Sequence, residues 1–125
     1  MPRDFSRTRR VADQIQRELA ELVRDEVRDP RVGSVTVSEV RVTRDLAHAR
    51  VLVTQLGAER EASLEMVEAL NHAAGFLRTQ LARRLRLRTV PALHFEHDDS
   101  FDRGARLSRL IDEAVSEDES RHGDD

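Results

Sequence analysis

Between Arg7 and Arg28 the apolar positions Val11, Ile15, Leu19, Leu22, Val23 and Val27 recur at steps of three and four, with charged and amide residues between them. That period predicts one amphipathic helix over residues 7–28, with Ser6 as its N-cap. The helix must stop by Asp29, because Pro30 pushes its predecessor out of the helical region. Gly33 then lets the chain turn. Two β-branched runs follow, Val35 to Thr43 and Ala49 to Gln55, joined by the polar link Arg44-Asp45-Leu46-Ala47-His48 and closed by Leu56-Gly57. They read as a hairpin. Alternation slips between Val37 and Val40, which predicts a bulge near Ser38 or Glu39.

The next stripe, Met66, Val67, Leu70, Ala73, Ala74, Leu77, Leu81 and Leu85, predicts helix from a cap at Ser63 to about Arg86. Phe76 falls off that stripe, so either its ring is exposed or the helix bends beside it. Gly75 favours a two-helix unit broken at that residue, since glycine weakens a helix interior and adopts dihedrals that alanine does not. Pro91 introduces a third strand, Ala92 to Asp98, with Leu93 and Phe95 facing inward. Leu107, Leu110, Ile111 and Val115 predict a short closing helix over residues 100–115. The expected class is α+β, in the order α-β-β-α-α-β followed by that C-terminal helix.

The 125 residues fit one domain, and the 38% that are hydrophobic suffice for one core. Residues 1–115 are expected to form that domain. The segment 116–125, Ser-Glu-Asp-Glu-Ser-Arg-His-Gly-Asp-Asp, has nothing to bury and is expected to be a disordered acidic tail. With no cysteine, disulfides and thiolate chemistry are excluded, and no apolar run is long enough to span a bilayer. A soluble, cytoplasmic chain without a membrane partner is the expectation.

Charge is uneven. All 21 basic residues are arginine; 17 of them face 13 acids up to residue 95, and 4 face 11 acids beyond it. No acid occurs between Glu68 and Glu96, a stretch holding Arg78, Arg83, Arg84, Arg86 and Arg88. Guanidinium groups pair bidentately with phosphate, so this cluster suits a polyanion. A solvated helix face would have the same composition. Arg3, Arg7, Arg9 and Arg10 form a second basic group. The 3% aromatic content leaves little for base-stacking tracts of the kind that bind single strands.

His94, His97, Asp98 and Asp99 are metal-ligand residue types, but in a strand His94 and His97 point to opposite faces, so no metal site is expected. There is no nucleophile elbow, phosphate loop or dinucleotide fingerprint, and paired acids such as Glu18 and Glu21 stand at the spacing of a polar helix face. No catalytic residue and no cofactor is expected.

Three stretches resemble the ribosome-binding factor A family, a group of bacterial small-subunit assembly factors. They are Arg7-Thr8-Arg9-Arg10-Val11-Ala12 through Asp29-Pro30-Arg31-Val32, then Val40-Arg41-Val42-Thr43-Arg44-Asp45-Leu46-Ala47-His48-Ala49-Arg50-Val51, and Leu70-Asn71-His72-Ala73-Ala74-Gly75-Phe76-Leu77-Arg78 continuing to Leu93-His94-Phe95. The resemblance, which runs from Arg7 to Val115, implies a type II KH-like domain in which an interhelical Ala-x-Gly kink, Ala73-Ala74-Gly75, replaces the usual G-x-x-G loop. It further implies a non-enzymatic factor that binds free 30S subunits and 16S rRNA, supports 16S 5′-end maturation, and matters in cold adaptation; no long apolar edge demands a partner copy, so a monomer is expected. The expected rRNA contacts are Arg7, Arg9, Arg10, Arg44, Arg78, Arg83, Arg84, Arg86 and Arg88. The chain departs from the family in using arginine where relatives mix in lysine, and in having Leu52 and His97 where an aromatic is common. A protein-protein adaptor whose arginines are merely solvated is the alternative expectation.

Overall fold

The computed structural model describes the backbone of residues 3–100 and Ile111, and side chains from Arg7 onward. The closing helix expected over residues 100–115 falls almost wholly outside the described residues, as does the acidic tail. Helix α1 spans Arg3–Glu26. It starts ahead of the expected cap, so Ser6 lies within the helix; nothing between Arg3 and Ser6 breaks helical geometry, and a capping side chain is only a weak stop. Its end falls where Pro30 requires. Beyond it, Asp29 accepts the Arg31 backbone N–H at 2.9 Å and both arms of the Arg31 guanidinium at 3.1 and 2.9 Å.

Strands β1, Val35–Val42, and β2, His48–Gln55, pair antiparallel, with Val35 opposite Gln55 and Val42 opposite Ala49. The register shifts between Val37 and Glu39, so Ser38 is the bulged residue. Its hydroxyl donates to Leu52 O at 3.1 Å and lies 2.6 Å from the Asp98 carboxylate. In the connecting link Leu46 takes a φ of 59°, a left-handed conformation that non-glycine residues seldom adopt. Asp45 fixes the turn by accepting from Thr43 Oγ1 and Ala47 N at 2.7 and 3.0 Å.

Helices α2, Arg60–His72, and α3, Ala74–Arg84, are separated by Ala73, whose φ of −87° and ψ of 0° open the helical ladder. The break therefore lies two residues before the expected one, and Gly75 sits inside α3 with no positive φ. Ser63 is not the cap either. It is buried one turn into α2, which begins after Glu59. Strand β3, Ala92–His97, runs parallel to β2, with Val51 opposite Phe95, giving the sheet order β1-β2-β3.

One sheet face carries the core. Ala49, Val51 and Val53 of the central strand are fully buried together with Ile15, Leu19, Met66, Leu70, Leu77 and Leu81. Helix α1 packs on β1, α2 on β3, and α3 on both α1 and β3. The period-3.6 stripes thus meet the period-2 strands across one layer boundary. The opposite sheet face is polar and exposed, bearing Arg41, His48, Arg50 and His94. The α-β-β-α-α-β order implied by the KH-like resemblance is the order observed.

Candidate nucleic-acid interface

The arginines that the sequence groups together have different environments. Arg84, at the end of α3, reaches α1, where its Nη1 lies 3.2 Å from a Glu18 carboxylate oxygen and 2.9 Å from one of Glu21. Those hydrogen bonds, the one to Glu18 foremost, raise the guanidinium pKa. Arg84, one of the expected rRNA contacts, ties two helices together, its charge matched by carboxylates 63 and 66 residues away. Arg78 also has an internal task. Its Nε donates to Val90 O at 2.9 Å and pins the segment between α3 and β3 to the helix.

Three neighbours of these residues remain outward. Arg83 is exposed on α3, and Arg86 and Arg88 are exposed beyond its end. None makes an ion pair with a described residue. Helix α3 stops at Arg84 because Leu85 turns extended, at φ −98° and ψ 132°. Arg86 therefore lies beyond the helix, although the expected helix runs to about that residue. From Leu85 onward the chain alternates instead: Leu85 is buried and Leu87 partly buried, while Arg86 and Arg88 face solvent. The result is a short row of uncompensated positive charge along the end of the helix pair.

Arg7, Arg9 and Arg10 are exposed on the first turns of α1 and likewise unpaired with described residues. Arg10 stands about 12 Å along the axis from Glu18, at 1.5 Å per residue, so this group is separate from the one beyond Arg84. Arg9 lines a groove of about 410 Å³ between α1 and β1, together with Asp13, Gln16, Glu39 and Arg41. Arg44 is exposed in the hairpin link. The nine expected arginines thus lie on two helices and two connecting segments, and two of them, Arg78 and Arg84, have partners within the domain.

The open sheet face is electrostatically balanced. Arg41 pairs with Glu39 at 2.9 Å and Arg50 with Glu96 at 2.7 Å. His48 Nδ1 lies 3.0 Å from His94 Nε2, and His97 Nδ1 lies 2.8 Å from Asp99. The two histidines of the sequence's metal-like group thus have separate partners. Among the described residues no set of three or more metal-ligating side chains converges.

Sequence reasoning missed Asn71. From the last turn of α2, its Nδ2 donates to Phe95 O at 3.0 Å, and its Oδ1 accepts from Phe95 N at 2.8 Å. This side chain bonds both backbone groups of Phe95 on the outer edge of β3, as a residue of a neighbouring strand would. The available signal was a poor helix former inside an otherwise helical stripe, next to Leu70.

These features define a small α+β domain with a split helix pair and a basic edge. A family model described as "Ribosome-binding factor A" matches residues 7–111. Curated relatives of that name include those of Alkalilimnicola ehrlichii, 69% identical over all of this chain and 96% of the relative, and Thioalkalivibrio sulfidiphilus, 63% identical with the same coverage. Among solved structures, the crystal structure of ribosome-binding factor A from Thermus thermophilus superposes with a TM-score of 0.64 at 33% identity, covering 72% of this chain and 93% of that one. A Thermus thermophilus homology model fitted into a cryo-EM map of a 30S complex gives 0.59 at 34% identity, covering 70% and 91%. The chain belongs to the ribosome-binding factor A family.

Proposed function

We propose that this chain is a non-enzymatic assembly factor that binds the free 30S subunit, not the 70S ribosome, as a monomer in the cytoplasm, by holding 16S rRNA through phosphate contacts. The observation that carries the reading is the row Arg83, Arg86 and Arg88, exposed and without a carboxylate partner among the described residues. Family membership and the 30S complex of a relative support it. Arg7, Arg9 and Arg10 form a second contact, and Arg44 a peripheral one. The kink Ala73-Ala74-Gly75 orients α3 so that its basic end faces outward.

Contacts of this kind read folded shape rather than base edges. Binding an immature conformation more tightly than the mature one shifts the subunit towards the former and keeps it out of translation until folding completes. Support of 16S 5′-end maturation and of growth in the cold follows from that role. The test is cosedimentation with purified free 30S subunits over a range of salt. The wild-type chain is expected to pellet with them and to be released as salt rises, whereas Arg83→Glu/Arg86→Glu is expected to stay in the supernatant. A double variant that pellets like wild type would remove this row from the interface.

A further inference from the structure

Phe76 is 47% exposed in the first turn of α3, although Phe95 is buried in the core. The bend at Ala73 does not hide the ring, and its surroundings leave it open. A Cβ built on Gly75 meets nothing within 4 Å, and Thr79, one turn on, turns its hydroxyl back to Gly75 O at 3.0 Å. Neither residue has a long side chain to lay across the ring. Seven residues later comes Arg83, two turns along and about 20° around the helix, so both side chains share one face about 10 Å apart along the axis. Arg83 is exposed and has no ion-pair partner among the described residues.

We propose that the Phe76 ring is a stacking platform for one unpaired base of the bound RNA, and that Arg83 holds the phosphate flanking that base. The proposal rests on the reading of this chain as an rRNA-binding factor and adds a base contact to it. Charge selects the occupant. Helix α3 itself carries no acid and Arg83 has no ion-pair partner among the described residues, so this face suits a polyanion. A single ring accepts any base, since every base has a π-face, so the platform adds affinity without reading sequence.

The chain has no tryptophan, so Phe76→Trp introduces a unique fluorophore at the platform. On titration with purified free 30S subunits, this variant, whose indole offers a larger stacking face, is expected to bind and to lose at least about half its emission through base stacking. Phe76→Leu is expected to weaken binding about tenfold, the scale of one base stack, at every salt concentration. Arg83→Gln instead lowers the salt slope by about one. Tight binding with undiminished Trp emission, or with a blue shift and no quenching that marks burial against a ribosomal protein, overturns the proposal. So does unchanged affinity in Phe76→Leu. If the wild-type chain fails to bind subunits, the assembly-factor reading fails and takes the platform with it; binding without quenching removes the platform alone.

Discussion

The Asn71 amide grips both the N–H and the C=O of Phe95, so Asn71→Ala leaves both backbone groups of this β3 residue without those partners. Losing this pair is expected to cost about 1–2 kcal/mol in urea denaturation. Asn71→Asp keeps the acceptor for Phe95 N–H but sets a carboxylate oxygen against Phe95 O, and should be no more stable than the alanine variant. Asp98 acts at the same scale. Hydrogen bonds from Ser100 and Ser38 lower its pKa from the ordinary 3.8 to about 2. A carboxyl depressed by folding stabilises the native state fully above its unfolded pKa, and that contribution fades as pH falls through the folded value. The Asp98 contribution is therefore intact above about pH 4 and disappears between about pH 4 and 2. Asp98→Asn should flatten the fall of the urea midpoint across that window. Asp29, also lowered to about 2 through Arg31, keeps part of the slope in that variant. An unchanged acid profile in Asp98→Asn would exclude the Ser38 and Ser100 contacts as its source.

At the scale of elements, Gly75 lies within α3, takes no positive φ and has open space where a Cβ would go. Gly75→Ala is therefore expected to stabilise the domain by about 0.5–1 kcal/mol, read as a raised thermal midpoint. A lowered midpoint would show that the break between α2 and α3 needs glycine after all. The stripes of both helices and the bulge at Ser38 were legible in sequence because periodicity is a local signal, and a slip in it marks an extra residue. Periodicity and Gly75 alone misplaced the break by two residues, whereas the Ala73-Ala74-Gly75 kink implied by the family resemblance contains it. Ala73 is a good helix former, and its ψ of 0° results from docking α2 and α3 on the sheet at once. Leu46 was hidden for a similar reason: its left-handed φ is imposed by Asp45 and the hairpin ladder, against the preference of leucine. Among the site residues, Arg83 is two positions from Leu81 and Leu85 of the apolar stripe, a local spacing that itself puts it on the exposed side. The capture of Arg84 by Glu18 and Glu21 has no such local signal, since it joins residues 63 and 66 positions apart.

For the whole molecule, the division of the arginines separates stability from binding. Arg84→Glu places a third carboxylate beside Glu18 and Glu21 and should lower the thermal midpoint, whereas Arg83→Glu should leave it unchanged and weaken 30S binding. Equal melting of the two variants would mean that the Arg84 bridge contributes nothing to the fold. The sheet order has a consequence of another kind. Central strand β2 ends at Gln55, but its second neighbour β3 does not begin until Ala92, after both crossover helices. A nascent chain leaving the translating ribosome therefore carries an unzipped β2 border while residues 56–97 are added, a span of roughly 2–8 s at about 5–20 residues per second. Through that interval the growing polypeptide offers a sticky template to other emerging chains, and among the described helices α1 alone, which covers β1 in the finished domain, has been synthesised in time to shield the hairpin's apolar side.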